Sequence, residues 1–346
     1  MQIPKPDQID VIAPNLRHRL SGVTTTVLRL VPVQARDIGI VATGPGLPPE
    51  VPHIPLWRVP FLPRRLRVWH ARRNTEMVLG LMLRAIGLRY KLLFTSAAQR
   101  DHSGFTKGLI RRMDRLVATS PQAASYLKRE AEMIMHGIDT EVFRPASDRD
   151  ALRTALGLPQ GLVIGCFGRI RHQKGQDLLV EAALELLPSR PDAHIVFTGR
   201  ATAEHEAYQR DLEERLAAAG LSDRVRFLGE RPWEEVVQLY QAIDLFVAPA
   251  RWEGFGLTPI EAMACGTPAL ACHGVGAFDA QILPGETGML CAPDDAKALT
   301  EALRILIDDR EALATMRETC RAHVLRDFSI AREAAALIAI YREMLA

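Results

Sequence analysis

Short apolar runs bounded by turn residues alternate with segments of helical period along most of this chain, the pattern of parallel sheets assembled from strand–helix–strand units. The spacing predicts strands at 9–14, 38–44, 91–95 and 115–119, with a helix after Ser21-Gly22. A second set falls at 162–167, 194–199, 225–228, 245–249 and 268–272, separated by helices at 174–187, 204–219, 233–241 and 259–264. Single hydrophobic cores stop growing near roughly 250–300 residues, so 346 residues patterned this way predict two doubly wound α/β domains. The boundary falls in 143–161, where Arg-Pro-Ala-Ser-Asp and Leu-Pro-Gln-Gly flank a short helix as a hinge. A last helix, 329–346, keeps an apolar stripe (Ala335, Ala336, Ile338, Ala339, Met344, Leu345) that another surface must cover. The expected domains are therefore 1–143 plus 329–346, and 144–328.

The proportions of 48% hydrophobic and 24% charged residues exclude disorder, collagen and a disulfide-stapled mini-protein. The net charge of +2 is a cancellation: split near residue 145, the first part carries +11 and the second −9. A basic half suits nucleic acid, an anionic membrane or an anionic substrate. Five cysteines (Cys166, Cys265, Cys272, Cys291, Cys320) without a CxxC pair read as reduced core thiols of a cytosolic protein, not a disulfide frame or zinc site. Residues 1–10 lack the apolar segment of a signal peptide, and the apolar stretch 77–88 is broken by Gly80 and Arg84, so no membrane span is expected.

Ligands of open α/β sheets bind beyond the carboxyl ends of the strands, which directs attention to two loops. After strand 162–167 comes Gly168-Arg169-Ile170-Arg171-His172-Gln173-Lys174-Gly175 and then a helix. A glycine, two spaced cations and a helix start make a polyanion site, with Arg169 and Lys174 as the binding pair; a solvated basic loop is the alternative. After strand 245–249 comes Arg251-Trp252-Glu253-Gly254-Phe255-Gly256-Leu257-Thr258-Pro259-Ile260-Glu261. Gly254 and Gly256 allow close backbone approach, and the helix that follows aims amides at the same place. Glu253 and Glu261 are suited to accept from vicinal hydroxyls, although Glu261 alone also reads as a first-turn dipole residue.

Glu253-x7-Glu261 within Trp-Glu-Gly-Phe-Gly-Leu-Thr-Pro-Ile-Glu-Ala-Met-Ala-Cys-Gly-Thr-Pro, preceded by Gly168-Arg169-x4-Lys174-Gly175, resembles the retaining nucleotide-sugar glycosyltransferases of family 4. The resemblance covers the second domain and extends more weakly to Ser21-Gly22-Val23 and to His136-Gly137-Ile138-Asp139-Thr140. It implies the GT-B fold, two facing Rossmann-like domains with a cleft between them. It further implies that Arg169 and Lys174 neutralise the donor diphosphate, Glu261 holds the ribose hydroxyls and Glu253 contacts the transferred sugar. The amides of Phe255, Gly256 and Leu257 would serve sugar hydroxyls and phosphates, and Gly22 would let a first-domain loop close on the diphosphate. The donor is a co-substrate, and neither cofactor nor metal is expected, because the cations and a helix start clamp the leaving group. Retention in this family proceeds by front-face substitution, without a protein nucleophile.

Two positions depart from the family. Where relatives often carry Thr-x-His, this chain reads Phe94-Thr95-Ser96-Ala97-Ala98-Gln99, leaving His102 and Ser103 as the nearest polar replacements near the reacting sugar. His136 stands where many relatives have Asn and reads as structural. Within 57–73, Arg58, Arg64, Arg65, Arg67, Arg72 and Arg73 interleave with Trp57, Phe61 and Trp69, which suits an anionic membrane interface; a nucleic-acid patch would use the same residues, and a solvated face is the bland reading. A basic acceptor domain beside a sugar-nucleotide domain favours the membrane and a lipid-linked acceptor, with no nucleic acid. The run Val68 to Met77, with Phe94 to Arg100 and His136 to Thr140, resembles the bacterial mannosyltransferases of the lipopolysaccharide inner core. That resemblance implies GDP-mannose as donor and an anionic Kdo residue on lipid A as acceptor, received by Arg72, Arg73 and Arg100, at the inner face of the cytoplasmic membrane. A UDP-sugar donor with another acceptor, and an epimerase or hydrolase on the same fold, stay open. A Rossmann-type nucleotide binder fails on its fingerprint, since neither Gly44-Pro45-Gly46 nor Gly274-x-Gly276 continues correctly. The base is expected to be read by backbone groups of 199–201 and 229–231.

Overall fold

In the computed structural model, which describes residues 3–17 and 22–346, the apolar runs become the strands of two parallel sheets, each in its own unit. The first unit comprises Met1–Gly137 and Ile330–Ala346, the second Ile138–Ser329. Among the described residues the first sheet holds β1 (Val11–Pro14), β2 (Ile40–Thr43), β3 (His53–Ile54), β4 (Arg67–Ala71), β5 (Tyr90–Ser96), β6 (Arg115–Ala118) and β7 (Glu132–Met133). Their order is β3-β2-β1-β4-β5-β6-β7, every pairing parallel. The second holds β8 (Leu162–Phe167), β9 (Ala193–Thr198), β10 (Val225–Phe227), β11 (Leu245–Ala248), β12 (Ala269–Cys272) and β13 (Gly288–Cys291), ordered β10-β9-β8-β11-β12-β13 and also parallel. This is the doubly wound arrangement, and strand order reverses between β1 and β4 and between β8 and β11.

Both faces of the first sheet are covered. One carries the helices Asn74–Ala85, Gly104–Ile110 and Pro121–Leu127 through Met77, Leu83, Leu109 and Leu127. The other carries Gly22–Gln34 and Ile330–Leu345 through Val27, Leu30, Leu337 and Tyr341. The stripe expected on the last helix is turned: Ala335 and Ala339 face solvent, while Glu333, Ala334, Leu337, Ile338, Ile340, Tyr341 and Met344 are buried. Small alanines gave a false face, and the large side chains set the real one. The unit boundary also shifts. Residues 138–143 and Ser329 belong with the second unit, because Ile138 bridges to Ser329 and the Phe143 ring meets Trp233 and Tyr240 edge-on.

The larger correction concerns the basic segment 57–73. Five of its residues form β4, a central strand buried along its whole length. Trp69 is fully buried and donates Nε1–H to the Glu76 carbonyl (2.8 Å). Arg67 is buried too, its guanidinium donating to the carbonyls of Ile9 (2.9 Å), Pro63 (2.6 Å) and Pro6 (3.0 Å), and burial lowers its pKa. Arg65 is taken up by the Asp10 carboxylate and the Asp7 carbonyl. Trp57, Arg58, Phe61 and Arg64 remain exposed, so the surface patch is about half of what the sequence suggests. The five cysteines are free and buried, and no helix among the described residues is long and apolar enough to cross a membrane.

On β4, His70 is sealed between the Tyr341 hydroxyl (2.6 Å from Nδ1) and Thr95 Oγ1 (2.7 Å from Nε2). Burial, reinforced by the Arg72 charge, holds its pKa well below the ordinary 6.5. The unfolded chain therefore binds a proton here that the folded chain does not, and stability falls as pH drops below about 6.5, by up to about 1.4 kcal/mol per pH unit. Denaturant titrations between about pH 7.5 and 5.5 are expected to show this decline, and a shallower one in His70→Gln. An equal slope in the variant would remove His70 as its source.

Candidate functional site

The crevice at the reversal between β8 and β11 is built by two loops. The loop after β8 opens at Gly168, tightens into the turn His172–Lys174 and ends at Gly175, which has φ 72°. A Cβ on Gly175 would lie 1.9 Å from the Pro249 carbonyl oxygen, so glycine is what lets this loop lie against the one after β11. The second loop runs from Pro249 into the helix Thr258–Ala264. Its Phe255 carbonyl accepts from Ala277 N–H (2.8 Å) and its Gly256 carbonyl from Gln281 Nε2 (2.8 Å), which pins the Gly-Phe-Gly turn from behind.

Lys174 Nζ donates to a Glu253 carboxylate oxygen, joining two sequence-predicted residues that lie 79 positions apart. Arg169 is exposed on the same loop as Lys174, and its guanidinium has no partner among the described residues. Glu261 lies in the first turn of the helix, and its Oε2 accepts from the Tyr240 hydroxyl (3.0 Å). Tyr240 is fully buried; burial, then the Glu261 charge, pushes its pKa well above the ordinary value, so it remains a donor and fixes the carboxylate. The first-turn position and the substrate-facing one are thus compatible. Gly199 N–H donates to the Gly229 carbonyl (2.9 Å), setting the two loops expected to read a base side by side.

Sequence reasoning gave no role to Arg251, although it heads the quoted motif. Its guanidinium forks onto Asp177 (2.8 and 2.7 Å), and Tyr208 donates to the same carboxylate (2.8 Å). An arginine and an aspartate 74 positions apart carry no spacing signal; the acidic residue in a helix first turn was the one available hint. Two cations, Arg169 and the Glu253-paired Lys174, and two carboxylates are presented by these loops, a set that can bind a polyanion next to hydroxyl groups.

The first unit treats its predicted residues less uniformly. Gly22 opens the helix Gly22–Gln34 at an exposed position where a Cβ would meet nothing within 4 Å, so no steric demand for glycine is visible; Ser21 lies outside the described residues. His102 sits in the loop between β5 and the helix Gly104–Ile110. Its Nε2 is buried without a partner among the described residues, and burial, then Arg100 and Lys107, lowers its pKa. Ser103 is the cap of that helix, its Oγ accepting from Thr106 N–H (3.3 Å). His136 is structural, with Nδ1 2.8 Å from the buried Glu333 carboxylate. Of the three arginines expected to receive an anionic acceptor, Arg72 is buried and donates to the His70 carbonyl (3.3 Å). Arg73 is committed to Asn15, Thr24 and Glu76, each at 2.9 Å. Both serve the interior because Glu76 is fully buried and needs counter-charge and donors. Arg100 stays exposed. Among the described residues no three His, Cys, Asp or Glu side chains gather into a metal-binding group.

Comparison with known proteins places this geometry. The family model described as "Glycosyl transferases group 1" matches residues 148–323. The lipopolysaccharide core biosynthesis mannosyltransferase LpsB of Rhizobium meliloti (strain 1021) is 48% identical over 349 residues, covering 97% of this chain and 98% of LpsB. The lipopolysaccharide core biosynthesis mannosyltransferase LpcC of Rhizobium leguminosarum bv. viciae is 46% identical over 345 residues, covering 97% of each chain. Among solved structures, Anabaena Alr3699/HepE in complex with UDP superposes with a TM-score of 0.84 at 20% identity, over 97% of this chain and 100% of that one. That likeness gives the GT-B fold.

Proposed function

This chain belongs to the group 1 glycosyltransferases, and we propose that it moves mannose, with retention, from GDP-mannose to the Kdo of a lipid-linked lipopolysaccharide core acceptor. The observation that carries the proposal is the meeting of Lys174 with Glu253, flanked by Arg169 and Glu261, at the reversal point of the second sheet. The names of two relatives that match nearly the whole chain support the mannosyl group and the core acceptor.

Under this reading Arg169 and Lys174 neutralise the donor diphosphate, Glu253 accepts from hydroxyls of the mannose, and Glu261, oriented by Tyr240, accepts from the ribose hydroxyls. As the glycosidic C–O bond breaks, charge accumulates on the departing diphosphate, and the two cations stabilise it most at that moment. The acceptor hydroxyl attacks from the same face, and its proton passes to the departing phosphate oxygen. No cofactor and no metal enter this scheme. His102 and Arg100 in the first unit, and Gly22 at the head of its first helix, are the remaining candidates for contacts to the reacting groups. In a thermal-shift series with UDP, GDP and their sugars, GDP-mannose at 100 times its dissociation constant is expected to add about 2.7 kcal/mol of stability. Labelled mannose should then pass to Kdo-lipid A. Stabilisation by UDP-sugars alone would overturn the donor; consumption of donor at the same rate without acceptor would overturn transfer.

Access to a lipid-linked acceptor is proposed through a peripheral contact with the inner, anionic face of the cytoplasmic membrane. Trp57 (66% exposed) and Phe61 (81%) project from the turn Leu56–Phe61, with the Arg58 guanidinium 5.2 Å over the Trp57 ring and Arg64 exposed beside them. Rings at headgroup depth and cations at the surface make a contact worth about 1 kcal/mol per arginine. The double variant Trp57→Ser/Phe61→Ser is expected to lose sedimentation with phosphatidylglycerol vesicles while keeping turnover on a soluble acceptor. Undiminished sedimentation would remove the patch from this role.

A further inference from the structure

Arg251 engages all three guanidinium nitrogens within the protein. Besides the fork onto Asp177, its guanidinium donates to the His172 carbonyl (2.6 Å) and to Asp294 (2.5 Å), and its backbone N–H donates to the Gln173 carbonyl (2.9 Å). Gln173 Nε2 returns a bond to the Trp252 carbonyl (2.8 Å). Three loops therefore meet on one residue: the loop after β8, through His172 at the side chain and Gln173 at the backbone; the loop after β11, to which Arg251 itself belongs; and the loop after β13, through Asp294. Asp177 is in turn fixed by Tyr208, whose hydroxyl both donates to its carboxylate (2.8 Å) and accepts from its backbone N–H (2.9 Å). Burial alone would raise the Asp177 carboxyl, but the bonds from Arg251 and Tyr208 hold it below its ordinary value, so the pair stays ionised.

The anchor points bracket the contact described above. His172 and Gln173 lie just before Lys174, and Arg251 lies two residues before Glu253. We propose that the Arg251–Asp177 pair is a positioning brace that holds the Lys174 ammonium at the place where the donor diphosphate binds, and that Arg251, despite heading the binding loop, touches no part of the donor. The inference rests on the nucleotide-sugar reading of the site. It differs from what a cation in such a motif suggests by itself, which is a third phosphate ligand. A fork-shaped guanidinium whose three nitrogens are all engaged by two carboxylates and a carbonyl is held away from a phosphate, whereas a point-charge lysine in its place would hold one partner at a time.

A double-mutant cycle separates the two roles. The chain and its Asp177→Asn, Arg251→Gln and doubly substituted variants are titrated calorimetrically with UDP and with GDP. A brace predicts that each single change weakens nucleotide binding about tenfold and the double change also about tenfold rather than about a hundredfold, because either removal already breaks the same link. In a Lys174→Ala background Arg251→Gln is expected to cost nothing further, and Arg251→Lys is expected not to rescue. In steady state the donor KM should rise about tenfold while the acceptor KM stays put, a split that a general loss of folding would not give. The double variant removes both charges together and is the informative one if a single variant, left with an unpaired charge, fails to fold. Additive effects, or a further loss in the Lys174→Ala background, would overturn the brace and make Arg251 a nucleotide ligand. Wild-type affinity in a folded double variant would overturn it as well. If the unsubstituted chain binds neither UDP nor GDP, the nucleotide-sugar reading falls first and the brace with it.

Discussion

Lys174→Ala is expected to lower kcat/KM for sugar transfer about 10²–10³-fold, the cost typical of removing one donor aimed at charge that develops in a transition state. The loss should exceed that of a missing ion pair because of the partner left behind. Glu253 now faces Lys174; under the proposed reading its carboxylate, without the ammonium, would face the donor diphosphate directly, and repulsion would replace attraction. Steady-state kinetics with acceptor saturating, together with nucleoside diphosphate titrations, measure this. Adding Glu253→Gln to the lysine variant should restore part of the nucleotide affinity without restoring turnover, since it removes the repulsion and not the deficit in charge stabilisation. A loss of less than threefold in the single variant would dismiss Lys174 from the site.

Glu76→Ala should cost about 3–5 kcal/mol of stability, because it breaks a buried ion pair from one side. Glu76 is fully buried; one carboxylate oxygen accepts from Arg73 (2.9 Å) and the other from Arg72 N–H (2.7 Å). It also occupies the first turn of Asn74–Ala85, where a negative charge is favourable. Truncation takes from Arg73, whose side chain is 10% exposed, its carboxylate partner, while the bonds to Asn15 and Thr24 stay. Glu76→Gln keeps an acceptor and a similar volume and should lose less, about 1–3 kcal/mol. Urea unfolding reads both, and equal losses would show that the charge is immaterial.

The second unit was the more legible in sequence. Four of its first five strands follow largely buried apolar runs, β10 (Val-Arg-Phe) being the exception, and observed ends lie within one residue of expectation, as for β8 and β9. β13 escaped because Gly-Met-Leu-Cys is short and opens on glycine. In the first unit β4 was hidden by its own polarity: Arg67, His70 and the neighbouring Arg72 mark a surface by composition, and carbonyls, a tyrosine and a glutamate from distant segments make them interior. Sequence shows which groups are polar but not which partners will satisfy them. The site divides along the same line. Lys174, Glu253, Arg169 and Glu261 were legible through loops of fixed spacing, whereas Asp177, Tyr208 and Tyr240 act through partners that no local pattern announces.

The first unit takes its last helix, Ile330–Leu345, from beyond the whole of the second. Its Tyr341 completes a contact with His70 across 271 positions. At ribosomal speeds of roughly 5–20 residues per second, β4 waits on the order of 15–55 s for that partner, while every strand of the second unit has already emerged. The part of the chain made first is thus the part finished last. During that interval the part of the sheet face that the last helix covers over β4, with Val68 upon it, lies open to any chaperone or sister chain that reaches it sooner.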